Sequence, residues 1–289
     1  MSKTIYYYQT FNTLKPIIDN PHTVTHIHLS AIHFGTNPDG TPYIHLNNNP
    51  PDDTVFDTVW GELEKVNKNG TEIILMIGGA GGAFTNLFAN FDTYYDLLCT
   101  TIKSHPIITG VDLDVEENTD INNVKKLINK IDEDFGKDFI ISMAPVAFAL
   151  INDECGLGGF IYKDLYTSPE GKRINYFNGQ FYGCFNTDSY DKSITNGYPP
   201  SKINLGMIFS DFSSDNFDEA LNTVKSLKIK YPDFGGVFVW EYFNAPPGGE
   251  DHPENWAIQM RNVLHSDMVE RINQTIFSRM YYRIFNNNV

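Results

Sequence analysis

Residues 110–117 read Gly-Val-Asp-Leu-Asp-Val-Glu-Glu, with acidic side chains at Asp112, Asp114 and Glu116. Side chains of a β-strand alternate between its two faces, so the three acids are expected on one face and the apolar residues between them on the other. A solvated edge strand is the alternative, but a parallel strand flanked by helices is buried on both faces and cannot solvate three carboxylates. The stretch therefore favours a buried strand whose carboxyl groups point into a barrel.

Seven further apolar, β-branched or aromatic runs occur along the chain, and segments with helical spacing lie between them. The eight runs are residues 5–8, 25–32, 73–77, 111–115, 139–144, 176–182, 203–209 and 237–240. Strands that recur roughly every thirty residues with helices between them pair in parallel through right-handed crossovers. The predicted fold is α/β, a single-domain (β/α)8 TIM barrel of eight parallel strands over residues 1–289. An open doubly wound sheet is the competing architecture, but no glycine-rich nucleotide-binding turn follows the first run.

Two helices are predicted with particular clarity, over residues 121–131 and 217–224, where apolar side chains recur at steps of three and four. Asp215 and Asn216 are possible caps of the second helix. Residues 268–285 are expected to form an extra amphipathic helix, which either caps the barrel or meets a partner.

Composition excludes several classes of protein. A hydrophobic content of 41% excludes a disordered chain, and a net charge of −15 disfavours nucleic acids and anionic membrane surfaces as partners. No run of about eighteen apolar residues is present, so no membrane span is expected. The three cysteines are widely spaced and are expected to be free thiols. The first residues lack the apolar stretch of a secretory signal, so a cytoplasmic location is expected for the chain as given, and secretion if a leader was trimmed. We expect a monomer.

Three carboxyl groups on one buried strand face predict acid–base chemistry. Like charges about 6–7 Å apart along a poorly solvated strand cannot all ionise freely, so at least one pKa is expected to rise. Glu116, which comes last and lies nearest the barrel mouth, is the natural proton donor. A divalent metal site is the rival interpretation, but residues in one row do not surround an ion. His26 and His28 share a face of the second strand and are expected to be hydrogen-bonded barrel histidines rather than metal ligands.

The pattern G-x-D-x-D-x-E after an apolar run resembles the signature of family 18 glycoside hydrolases. Other segments agree in order along the chain, namely residues 76–79, 142–145 and 180–182, and Trp240. Within the family the chain is similar to the fungal endo-β-N-acetylglucosaminidases of the Trichoderma type, and compact chitinase-like proteins share some of the same stretches. These stretches are residues 8–10, 45–47, 50–53, 134–139 and 236–244.

The resemblance implies a retaining mechanism without an enzyme nucleophile. Glu116 would protonate the glycosidic oxygen, and the 2-acetamido carbonyl of the substrate would attack the anomeric carbon. Asp114 would hydrogen-bond the acetamido N–H, while Asp112 holds or shares the proton of Asp114. Tyr182 would hydrogen-bond the acetamido oxygen.

The resemblance also assigns residues that line the substrate site. Gln180 would line it, Trp240 would form its apolar floor, and the backbone of Gly78 and Gly79 would closely approach the sugar or the next strand. Met143 is included among the candidate substrate-binding residues, although packing is the favoured interpretation for it. No metal and no cofactor are expected.

Three positions depart from the family pattern. Thr109 stands where many members have an aspartate, Gly183 where many have Asp or Asn, and Met76 where Ser is common. None of these changes removes the proposed acid, the orienting aspartate or the tyrosine.

The function predicted is hydrolysis of β-1,4 bonds between N-acetylglucosamine units, with a glycan or glycoprotein that contains this sugar as the partner. An endo-β-N-acetylglucosaminidase acting on the chitobiose core of N-glycans is the first hypothesis, and a chitinase is the second. A catalytically inactive sugar-binding protein is the third, but inactive members of the family typically lose the acid that this chain retains as Glu116.

Overall fold

The fold of the chain is a closed barrel of eight parallel strands, as seen in a computed structural model that describes residues 1–265. Strand β1 pairs in parallel with both β2 and β9, which closes the sheet and excludes the open doubly wound alternative. The order around the barrel is β1-β2-β4-β5-β6-β7-β8-β9. The strands are β1 (Lys3–Tyr8), β2 (His26–Thr36), β3 (Pro42–Leu46), β4 (Glu72–Gly78), β5 (Ile108–Asp114), β6 (Ile140–Met143), β7 (Tyr176–Gln180), β8 (Ile203–Ile208) and β9 (Gly236–Trp240). The predicted (β/α)8 barrel is confirmed, and each of the eight predicted runs overlaps one barrel strand.

Helices connect the strands and cover the outside of the barrel. They are α1 (Lys15–Asp19), α2 (Asp57–Lys68), α3 (Phe84–Ala89), α4 (Phe91–Ser104), α5 (Ile121–Phe135), α6 (Ala147–Ile151), α7 (Tyr162–Thr167), α8 (Thr187–Thr195) and α9 (Phe217–Lys230), and residues 254–265 are also helical. Within residues 1–265, no helix is both long and apolar enough to cross a membrane.

Alternation along the strands separates an outer apolar core from the barrel interior. On β1, Tyr6 and Tyr8 pack in the large cluster beneath the helices, whereas Ile5 and Tyr7 belong to a smaller cluster inside the barrel. On β5 the same alternation buries the apolar side chains against the helices and turns Asp112 toward the interior. The side chains that the sequence predicts to face the barrel interior on β5 are therefore separated from the apolar ones in the fold as expected.

Strand β3 is an element that the sequence analysis did not predict. It pairs antiparallel with the far end of β2, which runs to Thr36 instead of ending at Ile32. The register of β2 against β4 shifts between Leu29 and Ile32, so the last part of β2 leaves the barrel and forms a hairpin with β3. A five-residue strand that begins with proline carries too weak a signal to be recognised in isolation.

The two clearly predicted helices are present, but one cap differs. Helix α5 is capped by Asp120, whose side chain accepts a hydrogen bond from the N–H of Asn122. Helix α9 begins after Asn216 as expected, yet the Asn216 side chain accepts from the N–H of Ser213 and makes no bond to the helix. An amide in a turn satisfies whichever donor the turn presents, so the residue type alone did not determine the bond.

The helix over residues 254–265 ties the end of the described chain to the first strand. Tyr6 Oη donates to the Pro253 carbonyl at 2.6 Å and accepts from the N–H of Ala257 at 3.1 Å. Trp256 is fully buried in the outer core. The extra helix predicted over residues 268–285 lies outside the described residues, as does the last part of the predicted domain.

Candidate active site

Asp112, Asp114 and Glu116 lie in one row, from the barrel interior to its mouth. Asp112 is fully buried, Asp114 is 6% exposed and Glu116 is half-buried. Strand β5 ends at Asp114, so Glu116 lies two residues beyond the last strand position. Equal spacing in sequence has thus placed three carboxyl groups in three different environments.

Asp112 is held by hydroxyl donors from other strands. Tyr7 Oη on β1 donates to Oδ2 at 2.7 Å, and Ser142 Oγ on β6 donates to Oδ1 at 2.6 Å. His28 Nδ1 on β2 lies 3.3 Å from Oδ2, and His28 Nε2 is 3.2 Å from Tyr176 Oη. Hydrogen-bond donors therefore satisfy both oxygens of this buried carboxyl.

Asp114 is the acid whose pKa rises. Burial is the main cause, followed by the nearby charges of Glu116 and Asp112, and together they raise the pKa of Asp114 well above its usual range. The expectation that one carboxyl of the row would have a raised pKa thus applies to Asp114. Asp114 therefore keeps its proton to a higher pH than an exposed aspartate does.

Gln180 connects the row of acids to β7. Its Nε2 lies 3.2 Å from Asp114 Oδ1, 3.1 Å from Glu116 Oε1 and 2.8 Å from the Ala144 carbonyl. The amide therefore orients both outer carboxyl groups, a more specific position than the lining role that the sequence predicted.

A cavity of about 280 Å³ opens above this row at the carboxyl ends of the strands. Seven of the predicted site residues line it, namely Gly78, Gly79, Asp114, Glu116, Gln180, Tyr182 and Trp240. Burial and the charges of Asp114 and Glu116 raise the pKa of Tyr182 well above its usual range, so its hydroxyl remains a neutral donor at all ordinary pH values. The cavity thus brings two carboxyl groups, a neutral phenol and an indole together around one concave space.

Met143, His26 and His28 lie outside this cavity. Met143 is fully buried on the outer face of β6, among the residues that pack beneath the helices. Its neighbour Ser142 is the one that faces the interior, because adjacent residues of a strand point in opposite directions. His26 Nδ1 contacts Thr25 Oγ1 at 2.8 Å. Among residues 1–265, no group of His, Cys, Asp and Glu side chains is arranged to hold a metal ion.

Gly78 and Gly79 lie where the chain must pass close to the carboxyl row. Gly78 has a φ of +98°, and a Cβ at this position would be 2.4 Å from the Asp114 carbonyl oxygen. The N–H of Gly79 donates to that same carbonyl at 2.9 Å. These glycines allow β4 and β5 to end side by side at the cavity.

Sequence reasoning gave no catalytic-site role to Tyr7 or Ser142, although both bind Asp112 directly. Strand parity is the signal that could have found them, because each lies at an inward-facing position of its strand. Gln9 and His33 also line the cavity, and Glu241 holds the Gln9 segment by accepting from the N–H of Gln9 at 2.8 Å. Such contacts join opposite ends of the chain and leave no local pattern in sequence.

Comparison with known proteins identifies the family. A family profile described as Glycosyl hydrolases family 18 matches residues 3–241, a span that contains every barrel strand. The chain belongs to glycosyl hydrolase family 18. The resemblance inferred from the acidic stretch is thereby confirmed, and this family 18 protein is a glycosidase.

Individual relatives of this family 18 protein carry two kinds of name. A fungal endo-β-N-acetylglucosaminidase is 32% identical, with a TM-score of 0.81 over 92% of this chain and 99% of that structure. The chitinase ChiC from Aspergillus fumigatus is 30% identical, with a TM-score of 0.77 over 92% of this chain and 100% of that structure. Chitinase 2 from Rhizopus oligosporus is 24% identical in an alignment 237 residues long, which covers 72% of this chain and 40% of that protein. The chain therefore spans less than half the length of Chitinase 2.

Proposed function

We propose that this family 18 protein hydrolyses β-1,4 bonds between N-acetylglucosamine units by a retaining, substrate-assisted mechanism. The observation that carries the proposal is a cavity lined by Asp114, Glu116, Tyr182 and Trp240, with Asp112 fully buried behind Asp114. This arrangement supplies a proton donor at the mouth, an orienting carboxyl behind it and an apolar surface for a sugar ring.

Glu116 is the proposed general acid. Its proton passes to the glycosidic oxygen as the bond from that oxygen to the anomeric carbon breaks. The acetamido carbonyl oxygen of the same sugar forms a bond to the anomeric carbon, which gives an oxazolinium ion and releases the leaving sugar. Water then attacks the anomeric carbon as the bond from that carbon to the acetamido oxygen breaks. The water gives up a proton to the Glu116 carboxylate, so the configuration is retained and the enzyme is restored.

Asp114 and Tyr182 are proposed to prepare the acetamido group for this attack. Asp114 accepts a hydrogen bond from the acetamido N–H through one oxygen, and its raised pKa supports a shared proton between its other oxygen and Asp112. As the oxazolinium charge develops, that proton shifts toward Asp112 and leaves negative charge on Asp114, next to the cation. The Tyr182 hydroxyl donates to the acetamido oxygen and fixes its direction.

We further propose an endo-β-N-acetylglucosaminidase that cleaves the chitobiose core of N-glycans. A second cavity of about 480 Å³ borders the first, and its lining is polar: Gln9, His33, Asn47, Asn48 and Gly81. Amide and imidazole groups bind sugar hydroxyls, whereas a long chitin chain is better served by a row of exposed aromatic rings. Among the exposed large apolar side chains in residues 1–265, only Phe148 and Phe209 are aromatic. The similarity to a fungal endo-β-N-acetylglucosaminidase also supports this substrate.

A chitinase is the second candidate, because ChiC and Chitinase 2, two proteins named as chitinases, are similar to this chain in sequence. The connection between β8 and β9 contains α9 and a short turn but no inserted subdomain that would deepen a groove. The proposed cleft is therefore short, and short chito-oligosaccharides are the chitin substrates that it would accept best.

Mass spectrometry of two substrates tests the proposal. High-mannose ribonuclease B and chitohexaose are each incubated with the wild-type protein, with Glu116→Gln and with Glu133→Gln, a control at an exposed glutamate of α5. We expect the wild type and the control to release the glycan and leave one N-acetylglucosamine on the protein, while Glu116→Gln is at least about 100-fold slower. Cleavage of chitohexaose alone would replace the first candidate by the second. Absence of cleavage of both substrates by the wild type would overturn the proposed function.

A further inference from the structure

Glu116 lies on a segment that no neighbouring strand holds. Strand β5 ends at Asp114, and residues 115–120 are irregular until α5 begins at Ile121. Backbone hydrogen bonds to adjacent strands fix the residues of β5 but do not reach the acid two positions beyond its end. The Thr119 N–H donates to the Gly158 carbonyl at 2.8 Å further along this segment, and side-chain contacts hold the part next to Glu116.

Glu117, the next residue, makes such contacts. Its carboxylate accepts hydrogen bonds from the backbone N–H groups of Ala83, Phe84 and Thr85, the last at 3.1 Å, and from the Thr85 hydroxyl. All of these donors lie in the first turn of α3 or directly before it. Glu117 thereby bonds the segment after β5 to the segment after β4.

The segment after β4 forms a wall of the catalytic cavity. Residues 78–81 line it, and residues 78–82 read Gly-Gly-Ala-Gly-Gly, the composition with the most backbone freedom to lose on folding. The N–H of Gly79 bonds the Asp114 carbonyl, and the Gly82 carbonyl accepts from His33 Nδ1 at 2.7 Å. Glu117 holds the residues that follow, so this glycine-rich wall (residues 78–82) is anchored at both ends.

The charge of Glu117 strengthens the anchor. Burial alone would raise the pKa of Glu117, but the hydrogen bonds from Thr85, Ala83 and Phe84 outweigh burial, and the pKa is lowered. The Glu117 carboxylate therefore keeps its charge to a lower pH than an exposed glutamate does. Hydrogen bonds to a carboxylate are shorter and stronger than those between neutral groups.

We propose that Glu117 is a positioning residue that sets the distance and angle between the acid Glu116 and the glycine-rich wall. The proposal rests on the proposed function, in which Glu116 protonates the leaving oxygen. Glu117 does not line the catalytic cavity. It acts through the backbone of Glu116 on one side and through residues 83–85 on the other, and proton transfer depends on the geometry that results.

Dependence on the leaving group tests this role. Glu117→Gln keeps the size of the side chain but lacks the second acceptor oxygen and the charge. We compare cleavage of the unactivated substrate that the wild type accepts with release of 2,4-dinitrophenol from the matching aryl glycoside, which leaves without protonation. We expect kcat/KM for the unactivated substrate to fall about 10- to 100-fold and that for the aryl glycoside to fall less than about 3-fold. Equal losses on both substrates would indicate only a smaller folded fraction and would overturn the proposal.

Hydrogen–deuterium exchange gives a readout that does not depend on activity. In Glu117→Gln we expect the amides of residues 83–85 to exchange at least about 10-fold faster than in the wild type, whereas the exposed Glu133→Gln control leaves them unchanged. Thr85→Val, which removes one donor, should shift exchange and leaving-group dependence in the same direction by less, and Thr85→Ser should restore both. Unchanged exchange in Glu117→Gln would refute the anchor. A wild type that cleaves no substrate would instead refute the proposed function, and exchange would still decide the part of Glu117.

Discussion

Asp112, Asp114 and Glu116 are equally spaced in the sequence, but their environments in the fold differ. Two hydroxyl donors bind Asp112, burial keeps a proton on Asp114, and a half-buried position brings Glu116 to the cavity. The alternation of the stretch predicted that all three would face inward. Their division of work depends on depth in the barrel, because depth determines which donors and how much water each carboxyl meets.

The raised pKa of Asp114 makes a prediction about stability. The folded protein holds a proton on this carboxyl at pH values where the unfolded chain has lost it, so the unfavourable contribution is absent below about pH 4 and grows as the pH rises toward the folded pKa. Asp114→Asn should therefore unfold at a temperature higher than the wild type by about 3 °C at pH 7, and at the same temperature at pH 3. Its activity should be at least about 100-fold lower.

Calorimetry at the two pH values measures the effect of Asp114→Asn. Asp138→Asn, at an exposed position before β6, is the matched control and should change neither quantity. A lower unfolding temperature of Asp114→Asn at pH 7 would contradict the assignment of a costly buried proton to Asp114.

At the scale of elements, the adjacent ends of β4 and β5 determine the site. Gly78 ends β4 with a φ of +98°, and the space beside it is occupied by the Asp114 carbonyl and the ring of Phe84. Gly70, after α2, has a similar φ of +89° with no atom within 4 Å of an added Cβ. Substitutions at Gly70 and Gly78 therefore separate the energetic cost of backbone strain from that of steric overlap.

Gly70→Ala should cost about 1–2 kcal/mol of the free energy of unfolding, the strain of a left-handed conformation. Gly78→Ala should cost more than about 3 kcal/mol and abolish activity, because β4 must also move away from Asp114. Urea denaturation and the glycosidase assay measure both. Equal costs for the two variants would show that the close approach of β4 and β5 is unimportant.

Strand β1 begins with a half-buried lysine, Lys3. Lys3 Nζ lies 4.5 Å from the centroid of the Tyr176 ring, and burial, with a smaller contribution from the charge of Lys202, lowers the pKa of Lys3 to about 8. Since the unfolded pKa is about 10.4, the charged form is unfavourable in the fold at every pH below 8. The penalty shrinks between pH 8 and 10.5 and is absent above.

Lys3→Met should therefore be more stable than the wild type by about 1–2 kcal/mol at pH 7, with the difference vanishing near pH 10.5. Chemical denaturation as a function of pH measures the difference. Lys65→Met, at an exposed position of α2, is the control and should show no gain at either pH. A stability gain of Lys3→Met that does not depend on pH would attribute the effect to packing alone.

At the scale of the whole molecule, the barrel is closed by contacts between distant parts of the chain. Strand β1 pairs with β9, and the helix over residues 254–265 covers the outside of β1 through Tyr6 and Trp256. The Trp256 indole N–H donates to Met207 Sδ on β8 at 3.4 Å. The helix over residues 254–265 therefore contributes to the outer apolar core that surrounds the barrel strands.

Trp256→Ala should lower the free energy of unfolding by about 3–5 kcal/mol, because a fully buried indole leaves a cavity between β1 and β8. Ile229→Ala on α9, where the side chain is 65% exposed, should change it by less than about 0.5 kcal/mol. Thermal denaturation of the two variants measures both. A small loss in Trp256→Ala would mean that this helix is only peripheral to the barrel.

The sequence by itself determined the number, order and parity of the barrel strands, because alternation and helical spacing are local patterns. It also determined that Asp112, Asp114 and Glu116 face the barrel interior. Strand β3 and the missing cap bond of Asn216 escaped it, since a hairpin beyond the barrel and a turn donor depend on neighbours in space.

Only the tertiary structure decided which of these acids keeps its proton and what holds the acid in place. Tyr7, Ser142 and Gln180 meet the carboxyl row from three other strands, at least 30 residues from the acid that each one contacts. Glu117 finds its donors after β4, and these pairings exist only once the barrel has closed. Protonation and precise orientation follow from burial and from hydrogen bonds between distant elements, and neither property is encoded in a local pattern.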